Sequence, residues 1–217
     1  MTANDKTPIT IDVWSDIMCP FCWMGDTILQ QAAEADGRAL EIRYHSFQLM
    51  PELPDDRTSN LNDMLQNKRG IPLAQAAEMN RQVAARAATV GLTYNMDGAL
   101  AINTRAAHRL THFAKQQGLQ HAMMQRLFRA YLTDGLNIGD HTVLADLAAE
   151  IGLDRAAALE VLRGDAFGPD FEADVQRAHQ IGVTGVPFFV LNNKYAVSGA
   201  QSKDVFRQAL AKAAESA

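Results

Sequence analysis

The chain has 217 residues, 47% of them apolar, and a formal net charge of −5. That length exceeds a minimal domain but falls short of a clear two-domain enzyme, so one domain carrying a large insertion fits best. Lysine and arginine are scattered, which argues against a nucleic-acid partner, and no apolar run approaches a membrane span.

Residues 1–8 lack the apolar core of a signal peptide, so a cytoplasmic location is expected. Residues 9–14 (Ile-Thr-Ile-Asp-Val-Trp) alternate apolar and polar, the period of a strand. Met18-Cys19-Pro20-Phe21-Cys22-Trp23 follows and holds the only two cysteines. Two cysteines at this spacing form half of a metal site or a dithiol that cycles with its own disulfide. Ile28, Leu29, Ala32 and Ala33 then recur at helical spacing until Gly37.

Cys19 therefore falls where a strand hands over to a helix, with Pro20 at the first helical turn, where its missing N–H costs nothing. A thiol exposed there faces unpaired amides and the positive end of the helix dipole, which favour the thiolate. Cys22 lies one turn along the same face. In a reducing cytoplasm a lone cysteine pair is not a structural staple, so a redox dithiol is expected. A Cys2His2 zinc site could be drawn from Cys19, Cys22, His108 and His112. The gap of about 85 residues is unlike compact zinc sites, and no metal is expected.

Residues 40–47 alternate again as a second strand, giving a βαβ unit with parallel strands. Pro51 and Pro54 then break the chain. From about Thr58 to Gly164 the pattern is helical, with successive stripes closed by Gly91, Gly118, Gly135 and Gly152. One stripe is read from Ile102 to Ala114, and Asp140 and Asp154 are candidate N-caps. Arg105 and Arg109 read as solvated or paired at the insertion's surface. Helical methionines such as Met64 and Met124 read as core filler.

The α/β pattern resumes with a helix through Phe171, Val175 and Ala178 and an apolar strand from Val183 to Leu191 that includes Pro187. An Asn192-Asn193 hairpin turn, an edge strand and a last helix capped by Ser202 complete the chain. The expected fold is α/β, a central mixed sheet with flanking helices. Its discontinuous sheet domain is 1–57 and 165–217, and its α-helical insertion is 58–164.

This order is that of a thioredoxin-like fold with a helical insertion, and the residues resemble the FrnE-like branch of the DsbA family of thiol–disulfide oxidoreductases. The resemblance rests on five stretches: 16–23 around the cysteines, 103–110 (Asn-Thr-Arg-Ala-Ala-His-Arg-Leu), 127–131 with Asn137-Ile138, 184–189 (Thr-Gly-Val-Pro-Phe-Phe) and 195–201. It implies that Cys19 attacks, that Cys22 resolves, and that Pro187 is a cis-proline beside the dithiol.

It also implies that Val186 pairs main chain with an extended substrate and that Trp23 and Phe21 form an apolar rim; His108 and His112 read as capped or partly buried structural histidines, with lining the groove above the dithiol as the other reading of His108. Pro20, Phe21, Asp16 and Pro187 would tune the site. Phe21 brings no charge, and Asp16 reads either as a turn-forming or helix-capping residue or as a carboxylate that opposes the thiolate. A potential in the thioredoxin–glutaredoxin range, about −200 to −270 mV, follows.

The implied activity is protein dithiol–disulfide exchange, with isomerisation where a substrate resolves itself. The redox centre is the cysteine pair alone, with no cofactor. Partners are thiol- or disulfide-containing proteins or small molecules and a recycling reductant or oxidant, glutathione among the candidates; the chain would be a monomer or homodimer. Two alternatives stand beside this. Kappa-class glutathione transferases and 2-hydroxychromene-2-carboxylate isomerases resemble the architecture, but carry serine where Cys19 stands and lack the second cysteine. A non-redox polyketide-pathway accessory role gives no reason for the pair.

Overall fold

The first strand forms because Ile9, Ile11 and Val13 present one apolar face while Asp12 and Trp14 face the other way. The computed structural model describes residues 7–55 and 57–215; residues 1–6, on which most of the signal-peptide expectation falls, lie outside the described residues. Strand β1 (Ile9–Ser15) leads into α1 (Pro20–Ala35), and β2 (Leu40–Ser46) returns parallel to β1 with Ile9 opposite Leu40 and Ser15 opposite Ser46.

A two-residue strand β3 (Ser59–Asn60) pairs antiparallel with β4 (Leu100–Ala101). Helices α2 (Leu61–Arg69) and α3 (Leu73–Ala88) lie between them in sequence. Then come α4 (Arg105–Gln116), α5 (Gln120–Leu132), α6 (His141–Glu150) and α7 (Arg155–Arg163). Helix α8 (Gly168–Gln180), β5 (Phe188–Leu191), β6 (Tyr195–Ser198) and α9 (Lys203–Ala214) close the chain. The main sheet has the order β2-β1-β5-β6, with β5 antiparallel to both β1 and β6.

Helices α1 and α9 cover one sheet face, where Phe189 meets Phe206 edge-on at 5.1 Å between ring centroids. Trp14 meets Ala178 of α8 on the other face, with Val183 and Phe188. Asn192 and Asn193 sit at φ 47° and 54°, the left-handed pair a tight hairpin requires. Asp140 caps α6, Asp154 caps α7 and Ser202 caps α9 through their side-chain oxygens.

Two expectations need correction. The stripe read from Ile102 is helical only from Arg105, because residues 100–101 are spent pairing with β3. Arg109 is not solvated: it is 5% exposed, and its guanidinium donates to the carbonyls of Val161, Gly164 (2.7 Å) and Ala166 (2.8 Å). It thereby satisfies the C-terminal carbonyls of α7.

Candidate active site

Cys19 occupies the N-cap of α1, with extended backbone (φ −81°, ψ 112°) and Pro20 as the first helical residue. Its amide donates to Asp16 O at 3.0 Å and its carbonyl accepts from the Cys22 amide at 3.0 Å. The tight turn from Asp16 to Cys19 aims the thiol at the loop before β5. There Cys19 Sγ lies 3.6 Å from the Val186 carbonyl oxygen, next to the cis peptide joining Val186 to Pro187.

The sulfur is not exposed as expected from its helix-head position. Cys19 is 3% exposed and Cys22 1%. Side chains from α3 and the connection after it lie over the start of α1. Tyr94, in the connection after α3, donates its hydroxyl to Pro20 O at 2.7 Å. The Arg86 guanidinium of α3 stands 5.5 Å over the Phe21 ring. Trp23 is half-buried between Tyr94 and Phe128, stacked at 5.6 and 6.1 Å between centroids, and its indole N–H donates to Gln125 Oε1. Phe21 and Val186 are half-buried and Pro187 is buried.

The second thiol is held protonated by its surroundings. Burial, then the hydrogen bond and charge of Cys19, push the Cys22 thiol well above its ordinary value, against smaller opposing effects of the Ser15 hydroxyl and the Asp16 amide. Burial, then the charges of Cys19 and Cys22, likewise push the Tyr94 hydroxyl up.

Asp16 and His108 are brought together beneath this turn. Asp16 is 1% exposed; its carboxylate accepts from the Leu49 amide at 2.8 Å and the Met18 amide at 3.4 Å. His108, on α4, is 1% exposed, and its Nε2 stands 3.5 Å from Asp16 Oδ1 without a hydrogen-bond partner. It faces Asp16 and offers no surface to an open groove. His112 lies 3.0 Å from Ser46 Oγ and 3.2 Å from Asp174 Oδ2.

Sequence reasoning missed Arg86, Tyr94, Gln125 and Asp26. Asp26 falls four residues after Cys22 on the buried face of α1, and a carboxylate in an apolar stripe was the available signal. Burial raises its carboxyl against the opposing pull of His121, Tyr44, Gln125 and Gln30. Tyr44 donates its hydroxyl to Asp26 Oδ1 at 2.9 Å and lies 2.8 Å from His121 Nδ1. Helix α1, β2 and α5 are thus tied together behind the dithiol.

Gly25 sets the spacing between α1 and the Pro187 loop. A Cβ at this position would stand 3.0 Å from Pro187 Cγ and 3.1 Å from Phe189 Cζ. Gly25→Ala should therefore force the two apart despite alanine's better helix propensity, destabilising the fold by about 1–3 kcal/mol. Denaturant unfolding of the variant measures this, and a variant as stable as the parent would show that the loop yields freely.

The family model described as a DSBA-like thioredoxin domain matches residues 10–211. The YwbO protein of Bacillus subtilis is 29% identical over 209 residues, covering 93% of this chain and 96% of its own. The crystal structure of a probable DsbA oxidoreductase, SCO1869 of Streptomyces coelicolor, superimposes with a TM-score of 0.89 at 36% identity, over 94% of this chain and 89% of that one. DsbM of Pseudomonas aeruginosa, described as a cytosolic disulfide reductase, superimposes at 0.64 with 21% identity, over 96% and 100%. With a matched sheet framework and a cysteine pair at the head of its first helix, the chain belongs to the DSBA-like thioredoxin domain family.

Proposed function

We propose that this chain is a dithiol–disulfide oxidoreductase working through Cys19 and Cys22. One observation carries the reading: the Cys19 thiol stands at the head of α1 against the Val186 carbonyl, with Cys22 one helical turn behind it. Thiolate Cys19 attacks a substrate disulfide and one substrate sulfur leaves with its electron pair and takes up a proton. Cys22 then attacks Cys19, closing their disulfide and releasing the second substrate sulfur as a thiol. Val186 presents main-chain groups to an extended segment, a mode of binding that reads backbone more than side chains and gives broad specificity.

The net direction proposed is reduction, with a glutathione-type thiol as the recycling reductant and the cytoplasm as the compartment. A lone cysteine pair suits that compartment, and DsbM, with a similar fold, is described as a cytosolic disulfide reductase. Among the described residues no helix is long and apolar enough to cross a membrane.

Insulin reduction by the native protein and by Cys19→Ser tests the reading. Turnover should vanish in the variant; activity indifferent to Cys19→Ser would instead favour the glutathione-transferase or isomerase chemistry that this architecture also hosts. Equilibration against glutathione should place the couple at about −200 to −270 mV, and a value near −120 mV would reverse the proposed direction.

A further inference from the structure

Helix α3 carries two arginines with different surroundings. Arg81 lies against Glu78 at 2.6 Å. Arg86 is exposed and pairs with no carboxylate among the described residues. Most arginines of the described chain behave like Arg81; Arg43, Arg105, Arg126 and Arg207 each sit against an acid. In a chain with a net charge of −5, an arginine left without an acid calls for a reason.

Its position supplies one. The guanidinium stands over the Phe21 ring at 5.5 Å, and Phe21 lies between the two cysteines in sequence. Arg86 Nη2 also donates to Ala200 O at 2.7 Å. Ala200 follows Gly199, whose amide donates to Pro187 O at 2.8 Å. Pro187 follows Val186, whose carbonyl oxygen is 3.6 Å from Cys19 Sγ. These contacts make a circuit that begins and ends at Cys19, and Arg86 is its only cation.

A guanidinium offers five N–H donors in a planar fork, and Ala200 takes one. The ring contact and the carbonyl bond hold the plane, so an arriving anion meets donors that are already ordered. A carboxylate accepts two parallel bonds from such a fork.

We propose that Arg86 is a specificity-determining residue, binding a carboxylate carried beside the substrate disulfide. This rests on the exchange reading above and leaves its chemistry unchanged. Cys19 Sγ bonds one substrate sulfur, and the other leaves with the electron pair and takes up a proton. The preferred substrates are acidic disulfides. Two sources carry the required group: oxidised glutathione, and a protein cystine with an aspartate or glutamate beside it.

The test compares two small disulfides, the doubly acidic dithiodipropionate and the uncharged hydroxyethyl disulfide. The readout is the ratio of their rate constants for reduction by the pre-reduced protein, acidic over neutral. Arg86→Gln should lower this ratio about fivefold, the size expected of one partly exposed ion pair. Arg86→Glu should lower it further. An arginine that served only to clasp α3 to the site would change both rates alike and leave the ratio where it was.

Salt supplies a check on the unaltered protein. The net negative charge repels acidic disulfides at long range, so screening it should by itself favour them. A cation beside the dithiol reverses that sign. Raising the ionic strength from about 0.01 M to about 0.15 M should lower the parent's ratio. Oxidised glutathione and an acidic peptide disulfide, each measured against hydroxyethyl disulfide, identify the source by which of them loses in Arg86→Gln.

A ratio indifferent to Arg86→Gln, or a parent ratio that does not fall with salt, would overturn the proposal and leave the exchange reading standing. A protein that reduces neither disulfide would sink both.

Discussion

A Cys22→Ser variant should stall covalently on its substrate. Cys19 would still attack a disulfide, but nothing inside the protein could displace what it captures. Release would depend on an external thiol. Positioned intramolecular groups reach effective concentrations of about 10⁵ M or more, against millimolar free thiol. Turnover should therefore fall by about a thousandfold or more, while the first half of the reaction survives. Mass spectrometry of the variant after exposure to a disulfide substrate should show one substrate chain attached at Cys19. Cys19→Ser should carry no such adduct, because burial pushes the remaining Cys22 thiol well above its ordinary value and keeps it protonated. Adducts on Cys22 in Cys19→Ser, as abundant as those on Cys19, would interchange the roles.

That asymmetry was only half legible in the sequence. Proline after the first cysteine and the alternation in residues 9–14 were enough to put Cys19 at a strand-to-helix joint, because both signals are local. The Asn192-Asn193 turn and the caps at Asp140, Asp154 and Ser202 were readable for the same reason. Enclosure of the sulfur was not. It depends on Tyr94 reaching Pro20 across 74 positions and on Arg86 standing over Phe21, contacts that no local pattern announces.

Arg109 shows the same limit from the other side. An arginine on a helix reads as solvated, yet here three carbonyls from residues 161–166 replace water around it. His108 sat in a stretch with a recognisable resemblance, but which way it faced was decided by how α4 packs under the turn at Asp16. Local chemistry reports where elements begin and end. Which buried polar groups meet is settled by long-range packing, and the site is built largely of such meetings.

The second large effect concerns stability and lies in one such meeting, centred on His45. Its Nε2 donates to Asp12 Oδ1 at 2.8 Å and its Nδ1 to Asp174 Oδ1 at 2.7 Å. Ionised carboxylates only accept, so both ring nitrogens must carry protons and the ring is an imidazolium. It stacks on Trp14 at 4.5 Å, and Trp14 in turn donates to Asp174 O at 3.1 Å. Asp174 also accepts the Ser46 amide at 2.8 Å and faces His112. The cluster fastens α8 to β1, β2 and α4.

Burial opposes the charge on His45, but the bonds and charges of Asp12 and Asp174 outweigh it and raise the group to about 9. Asp174, buried but bonded to His112 and His45, is held well below the usual carboxylate range. A raised histidine contributes its full stabilisation below its unfolded value of about 6.5 and loses it as pH climbs through the folded value. The Asp174 contribution is present above about pH 4 and is lost in acid.

Between about pH 6.5 and 8.5, His45 alone should cost the fold about 2 kcal/mol as pH rises. For a chain of this size that is a fall of about 6 °C in Tm. His45→Gln should be less stable throughout and flat across the same window. Asp174→Asn should be worse at neutral pH, because it strips a partner from the buried imidazolium. Thermal melts of the three proteins at several pH values check this. An unchanged slope in His45→Gln would place the titrating group elsewhere and leave His45 a neutral ring.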